Sequence, residues 1–438
     1  MKDDFCYFEN HECKYYPCHK GSDNINCMFC FCPFYTFANC PGNPVFIERN
    51  GAKIKKCTDC VFPHLKDNYP KVISLLKTQP VAEESLKEYV HGGESSKRIK
   101  YDFSVNVNPL GMPARVKAAI KKSVKKASLY PDKKCQNLKN AIAVKKNIGQ
   151  NNVLLGNGAS DLITLVARWL QSQRKTRVLL LAPTFGGYER ALLGCGIRPR
   201  YYDLKREDGF ALTKDFLSCV TDDLDAIFLC NPNNPTSAII EEELLGEIVE
   251  LCTRKNITLV VDECFMDFVD KKKNAGVCKY VGAHKNIILI NAFTKIYAMA
   301  GLRLGYAICS DSGVVKQMEF LQSEWNVSSL AQAAGLVALS QESYIKKTSC
   351  VIERERLFLE EKLSSLGMKL YPSTGNFILA ETKENVFEKL LDDGILVRDC
   401  SDFKNLGKGF VRIAIQTRRK NKILLSALKK VLKENDGR

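Results

Sequence analysis

The sequence predicts an α/β fold: a large domain around a mostly parallel central sheet, followed by a smaller α+β domain. Three observations carry this. Four short apolar runs, "VLLLAP" (178–183), "AIFLCNP" (226–232), "ITLVVDE" (257–263) and "NIILINAFTK" (286–295), show no alternation of apolar and polar residues. That pattern marks strands covered on both faces. Helical or polar segments such as "EEELLGEIVELCTRKN" (241–256) separate the runs, and strands alternating with helices build parallel sheets. Beyond about Leu330 the strand candidates are scattered among helices, as in "GNFILAE" (375–381) and "GFVRIAIQT" (409–417).

The elements follow in chain order. Residues 1–66 form a small cysteine-rich module, because nine of the 19 cysteines fall between Cys6 and Cys60. Residues 67–100 read as a linker and N-terminal arm; "LKDNYPKVISLLKTQPVAEESLKEYVHGG" (65–93) suggests two short helices broken by Pro80, since proline ends a helix. The large domain is expected over 101–325 and the small one over 326–438.

Composition is that of an ordinary globular protein, 45% hydrophobic and 26% charged over 438 residues. The formal charge is +16, which suits nucleic acid or anionic substrates equally. The basic clusters, "KKSVKK" (121–126) and "TRRKNK" (417–422), are short and lack interleaved aromatics, so no nucleic-acid partner is expected. No run is long enough to span a membrane, and the start, "MKDDFCYFENHECKYY", has no apolar core of a signal peptide. A cytoplasmic protein with reduced cysteines is expected.

The informative polar residues stand at strand ends, where α/β sheets bind ligands. Asn231, Asn233 and Asn234 follow "AIFLC", Asp262 follows "ITLVV", and Lys295 follows "NIILINAFT". "LLGNGASDLITLVARWL" (154–170) reads as strand, turn and helix, a place where the N–H groups of Ala159 and Ser160 can meet a phosphate. A phosphate cradle, an aspartate for a ring-nitrogen cation, an asparagine for a phenolic oxygen and an imine-forming lysine together meet the needs of a pyridoxal phosphate site.

"NPNNPTS", "DECFMDF" and "FTKIYAMAGLRLGY" resemble the landmarks of the fold-type I pyridoxal phosphate enzymes, aminotransferase class I/II, with the likeness running from His91 to the C-terminus. The resemblance implies Lys295 as the imine lysine, Asp262 on the pyridine nitrogen and Asn234 on the ring 3′-oxygen. It implies Ala159, Ser160, Thr294 and Arg303 around the cofactor phosphate and Phe185 stacked on the ring. Tyr130, in "LYPD", would reach the phosphate of a neighbouring subunit, which implies a homodimer. Phe265 departs from the tyrosine common in relatives, removing one hydrogen bond to the 3′-oxygen.

Within that superfamily, "HGG" (91–93), "DFSVNVNPLG" (102–111), "VRDCSDF" (397–403) and Phe265 resemble the threonine-phosphate decarboxylases more than the histidinol-phosphate aminotransferases. The resemblance implies decarboxylation of L-threonine O-3-phosphate to (R)-1-amino-2-propanol O-2-phosphate for cobalamin synthesis. The alternatives are an aminotransferase of the histidinol-phosphate type and a decarboxylase preferring L-serine O-phosphate. Arg412 would bind the α-carboxylate, Arg398 would be a second substrate-facing arginine, and His91 and Asn108 would line the pocket. Arginine geometry suits carboxylate and phosphate alike, so the two anions stay unassigned between Arg398 and Arg412.

In the first module, Cys13, Cys18, Cys27, Cys30, Cys32, Cys40, Cys57 and Cys60 include two C-x₂-C pairs. Such pairs suit zinc, with an iron–sulfur cluster the other thiolate-bound option. A metal would supply folding energy that so small a core lacks. The module also resembles a cysteine-rich small domain that accompanies corrinoid-pathway proteins, which implies contact with them.

Overall fold

The structure, a computed structural model, describes residues 7–19, 24–35, 40–49, 52–77, 92–93, 98–270, 276–382 and 386–433. The chain divides into two units, 1–88 and 89–438.

In the first unit an antiparallel hairpin joins β1 (Val45–Arg49) to β2 (Ala52–Lys56), and α1 covers Tyr69–Lys77. Ile25, Phe34 and Val72 are fully buried. Of the two helices expected over 65–93, α1 is the first; the second lies outside the described residues.

The second unit opens with β3 (Tyr101–Asp102), α2 (Ala114–Ser123), α3 (Gln136–Lys146), β4 (Val153–Gly156) and α4 (Ala159–Ser172). It continues with β5 (Val178–Ala182), α5 (Gly187–Gly194), β6 (Arg200–Asp203), β7 (Ala226–Cys230), α6 (Glu242–Arg254) and β8 (Thr258–Asp262). Then come β9 (Ile287–Ala292), α7 (Phe293–Ile296), β10 (Gly305–Cys309), α8 (Ser312–Leu321), α9 (Ser329–Leu339) and α10 (Glu342–Ser365). The last elements are β11 (Lys369–Leu370), β12 (Phe377–Glu381), α11 (Val386–Asp392), β13 (Ile395–Leu396), β14 (Arg398–Asp399), β15 (Phe410–Ala414) and α12 (Arg418–Lys433).

Seven strands form the central sheet in the order β4-β10-β9-β8-β7-β5-β6. Pairings β6–β5–β7–β8–β9 are all parallel. Only β10 runs against its neighbours, β4 and β9. The apolar runs became strands because both faces are covered. Leu179, Leu181, Ile227, Leu229, Leu259 and Val261 enter one core. Their alternates Val178, Leu180, Ala226, Phe228 and Val260 enter the other, with Leu162, Val166 and Leu170 of α4. Side chains alternate across a strand, so an unbroken apolar run feeds two cores. In this sheet two strands fall outside the runs read from sequence: β6, half exposed at the sheet edge, and β10, which begins at Gly305 near the end of the lysine-bearing stretch.

The smaller sheet has the order β11-β12-β15-β14, antiparallel throughout. Its β14–β15 pairing sets Arg398 directly opposite Arg412. The parallel β3–β13 pair and the hydrogen bond from Ala414 N–H to Phe103 O tie the start of this unit to that sheet. Among the described residues no helix is long and apolar enough to cross a membrane.

Candidate active site

Parallel strands end side by side, so the residues that follow them share one space. Asn234 follows β7, Asp262 ends β8, and Thr294 and Lys295 follow β9. A cavity of about 390 Å³ lies there, lined by these four residues and by Ala159, Ser160, Phe185, Arg303, Arg398 and Arg412. Ten of the thirteen cofactor and substrate candidates from the sequence therefore meet in one place. Of the other three, Asn108 and Tyr130 do not line it, and His91 lies outside the described residues.

At one end sits an anion cradle. Gly158 has φ +84° and precedes α4, whose first turn supplies unpaired backbone N–H groups. A Cβ on Gly158 would fall 2.6 Å from Arg303 Nη2, and one on Gly305 would fall 2.9 Å from Ala159 N. Only glycines let the guanidinium and the helix start come this close. Arg303 itself holds φ +54°, which turns the chain back beneath the cradle.

At the other end Asp262 is buried. It accepts hydrogen bonds from Tyr188 Oη at 2.8 Å and from Cys264 N at 2.9 Å. Burial raises its pKa, against the pull of those bonds and of Lys295. A cationic partner would favour its ionised form. Tyr188 and Cys264 were not singled out from the sequence; Tyr188 closes the "PTFGGY" stretch and is the second residue of α5, and that aromatic stretch was the only available signal. Phe185 packs edge-to-face on Tyr188, and a Cβ on Gly187 would fall 2.3 Å from its ring.

Between the two ends, Lys295 is partly buried against the cavity and its pKa falls to about 8. Desolvation is the main cause, followed by the positive charges of Arg412 and Arg303. Phe265 lines the cavity and packs edge-to-face on Phe377 at 4.9 Å, with no hydroxyl to offer.

A cofactor with a phosphate at one end, a cationic ring nitrogen at the other and an aldehyde between them, as the sequence resemblance implies, fits this donor set. The cradle takes the anion, buried Asp262 the cation and the low-pKa amine the aldehyde.

The remaining wall is cationic. Arg412 is buried, and desolvation brings its pKa down to about 10. Its Nη1 donates to Asn234 Oδ1 and its Nη2 to Ser104 O at 2.6 Å. Its Nε is buried without a partner. Arg398 donates from Nη2 to both carboxylate oxygens of Asp402, at 2.9 and 2.7 Å, and from Nη1 to Asp399 O.

Asn108 was expected in the substrate pocket, and the structure corrects this. Its Nδ2 donates to Ile296 O and Thr348 Oγ1, and its Oδ1 accepts from Leu110 N. Its own N–H bonds to Lys295 O, so it braces the lysine's backbone with its hydrogen-bonding groups already used. Asn106, one alternation earlier, lines the cavity instead, its Oδ1 buried and unpartnered. Tyr130 lies at the surface, 81% exposed, against Trp325 at 4.6 Å, and is not among the cavity residues. His91 lies outside the described residues.

In the first unit the eight candidate cysteines are free thiols. Among the described residues, no group of three or more His, Cys, Asp or Glu side chains stands where it could hold a metal ion. Cys27 is engaged locally: its Sγ accepts from Asn10 N and donates to Ile25 O.

Comparison with known proteins follows the same division. Residues 98–428 match the model of the family "Aminotransferase class I and II", and residues 4–87 match that of a "Cysteine-rich small domain". The chain is 35% identical to a threonine-phosphate decarboxylase of Salmonella typhimurium, covering 76% of this chain and 91% of that protein. It is 36% identical to a protein of Caldanaerobacter subterraneus named as a threonine-phosphate decarboxylase, covering 80% and 96% respectively. Among solved structures it is similar to the histidinol-phosphate aminotransferase of Clostridium acetobutylicum. That match has a TM-score of 0.71 at 28% identity, covering 76% of this chain and 99% of the other.

Proposed function

The chain belongs to the class I and II aminotransferase family, and from that premise we propose that it is a pyridoxal phosphate-dependent decarboxylase of L-threonine O-3-phosphate. The products would be CO₂ and (R)-1-amino-2-propanol O-2-phosphate, a building block for cobalamin. The observation that carries the reading is the pair Arg398 and Arg412, opposed across two strands and lining the same cavity as Lys295. A phosphorylated amino acid presents two anions at once, and two facing guanidiniums answer both. The likeness to two proteins named as threonine-phosphate decarboxylases supports the same choice.

Ala159, Ser160, Thr294 and Arg303 would hold the cofactor's phosphate, Asp262 its ring nitrogen, and Asn234 its 3′-oxygen, with Phe185 against the ring. When bound, the cofactor supplies an electron-accepting ring linked to the substrate's Cα. Lys295, whose pKa of about 8 makes the neutral amine far more accessible than in an ordinary lysine, takes the aldehyde and later carries a proton to Cα. Asp262 stays ionised against the ring cation, and Tyr188 and the Cys264 N–H hold its carboxylate in place. Arg398 and Arg412 fix how the substrate lies, and so decide which bond to Cα is aligned for cleavage. Tyr130 would complete the phosphate site of a second copy, making the enzyme a homodimer.

Incubating the holoenzyme with O-phospho-L-threonine and no keto acid tests the reading: stoichiometric CO₂ is expected. Turnover of histidinol phosphate dependent on 2-oxoglutarate, without CO₂, would instead make it an aminotransferase. Parallel kinetics with O-phospho-L-serine resolve the side-chain methyl, worth about 1–3 kcal/mol in an apolar pocket.

For residues 1–66 the reading is a zinc- or iron–sulfur-binding module of a cytoplasmic enzyme that meets other corrinoid-pathway proteins. The two C-x₂-C pairs support it. Cys30 N–H bonds Cys27 O and Cys60 N–H bonds Cys57 O, and such a turn brings side chains i and i+3 together. Elemental analysis of anaerobically purified protein checks it; a metal-free, folded module would end this reading.

A further inference from the structure

Arg398 already holds an anion. Asp402, four residues on, accepts from its Nη2 with both carboxylate oxygens, and both residues line the cavity. The two partners differ in freedom: the Arg398 side chain is 8% exposed and that of Asp402 is 42% exposed. Among the described residues, both hydrogen bonds of Asp402 go to Arg398. The loop that carries Asp402 is pinned by other groups. Phe403 N–H bonds Cys400 O, and Asn405 Nδ2 bonds Ala182 O and Leu204 O. The Asp402 side chain can therefore turn to solvent while the loop stays in place.

The position of Arg398 also says which anion it meets. Arg412 is the guanidinium whose charge acts most on Lys295, and it bonds Asn234. It serves the reacting end of the substrate. Arg398 shares its wall with Lys404, which pairs with Glu189 at 3.2 Å and lies over the Tyr201 ring. A dianion would meet two cations there, each now balanced by a carboxylate.

We propose that Asp402 is a resident counter-ion that the phosphate group of the substrate displaces from Arg398. This rests on the reading above that the substrate is phosphorylated. In the free enzyme Asp402 offsets the repulsion between Arg398 and Arg412, which face each other in register. On binding, the phosphate takes the Nη2 that Asp402 now holds, and the Asp402 carboxylate regains water. Asp402 is thus a positioning residue that weakens every phosphate ligand by the strength of its own ion pair.

The test measures inorganic phosphate binding to the holoenzyme by calorimetry, beside steady-state kinetics with O-phospho-L-threonine, in wild type, Asp402→Asn and Asp402→Glu. Asp402→Asn is expected to tighten phosphate and lower KM by about two- to five-fold, the range of one partly exposed ion pair, with kcat within about two-fold. Asp402→Glu keeps the charge and is expected to behave like wild type, so a general loss in both variants would reveal misfolding and overturn the proposal. Unchanged or weaker phosphate binding in Asp402→Asn would also overturn it, making Asp402 a fixed brace for Arg398. Tighter inorganic phosphate without decarboxylation would uphold the displacement while removing the assigned substrate.

Discussion

Arg398 and Arg412 face each other directly across β14 and β15, a register pair of two cations. Like charges placed so destabilise a sheet, and each is bought off by separate acceptors: Asp402 for Arg398, Asn234 and Ser104 O for Arg412. The unpartnered Nε of Arg412 is the part of this arrangement with no structural use. Arg412→Lys keeps the charge but loses the fork. We expect kcat/KM for O-phospho-L-threonine to fall roughly 30-fold or more, from the 2–5 kcal/mol that breaking a buried charged hydrogen-bond set costs. Steady-state kinetics check this, with melting temperature as control.

Lys295 provides the pH test. Its ordinary pKa is 10.5, and burial beside Arg412 and Arg303 brings it to about 8. The neutral amine is the nucleophile, and it forms as pH rises through the folded-state value. The rate at which apoenzyme captures the cofactor should therefore climb with pH, levelling above about 8 rather than above 10.5. Stopped-flow absorbance follows it directly. Lys295→Ala should remove the aldehyde-capture signal and lower kcat by at least about 10²–10⁴-fold. A midpoint near 10.5 would mean that Lys295 is not desolvated in solution.

Much of the large domain was legible because its physics is local. An unbroken apolar run with a polar residue at its carboxyl end becomes a buried strand with a functional tip, and Asp262 and Lys295 follow that rule. Their coming together was legible only from the order of the motifs. What stayed hidden depends on register and rotamer. Asn106 and Asn108 stand on the same alternation of "SVNVNP", yet one faces the cavity and the other braces Lys295. No pattern in the sequence separates them. Tyr188 was equally hidden, because its partner Asp262 is 74 residues away. Asp402 was read only as a letter in "VRDCSDF"; its bond to Arg398 follows from how the loop after β14 closes.

Gly158 links backbone strain to cofactor retention. At φ +84° an alanine is strained, and its Cβ would stand 2.6 Å from Arg303 Nη2. The guanidinium must then leave the cradle or the turn must open. Gly158→Ala should cost about 1–3 kcal/mol locally. It should also weaken cofactor phosphate binding by about ten-fold or more, as one charge-assisted contact is lost. Dialysis against buffer, followed by cofactor absorbance, reads this. The wild type should stay loaded where the variant empties, and equal retention would show that Arg303 does not hold the phosphate.

Tyr188→Phe isolates the aspartate at the far end of the cavity. The ring is buried, so the isosteric change keeps the packing against Phe185 and Phe228 and removes only the Oη donor. Asp262 would keep the Cys264 N–H and lose the 2.8 Å bond from Tyr188. A hydrogen bond to a carboxylate favours its charged form, so its loss pushes the Asp262 pKa further up, in the direction burial already drives it. More base is then needed to ionise Asp262, and the acid limb of the kcat profile should move to higher pH. At neutral pH kcat should fall by about ten-fold or somewhat more, from the 1.5–3 kcal/mol of a charged hydrogen bond. KM should stay nearly constant, because Tyr188 touches neither arginine. A shift of KM alone, with the acid limb in place, would mean that Tyr188 merely shapes the cavity and that Asp262 draws its ionisation from elsewhere.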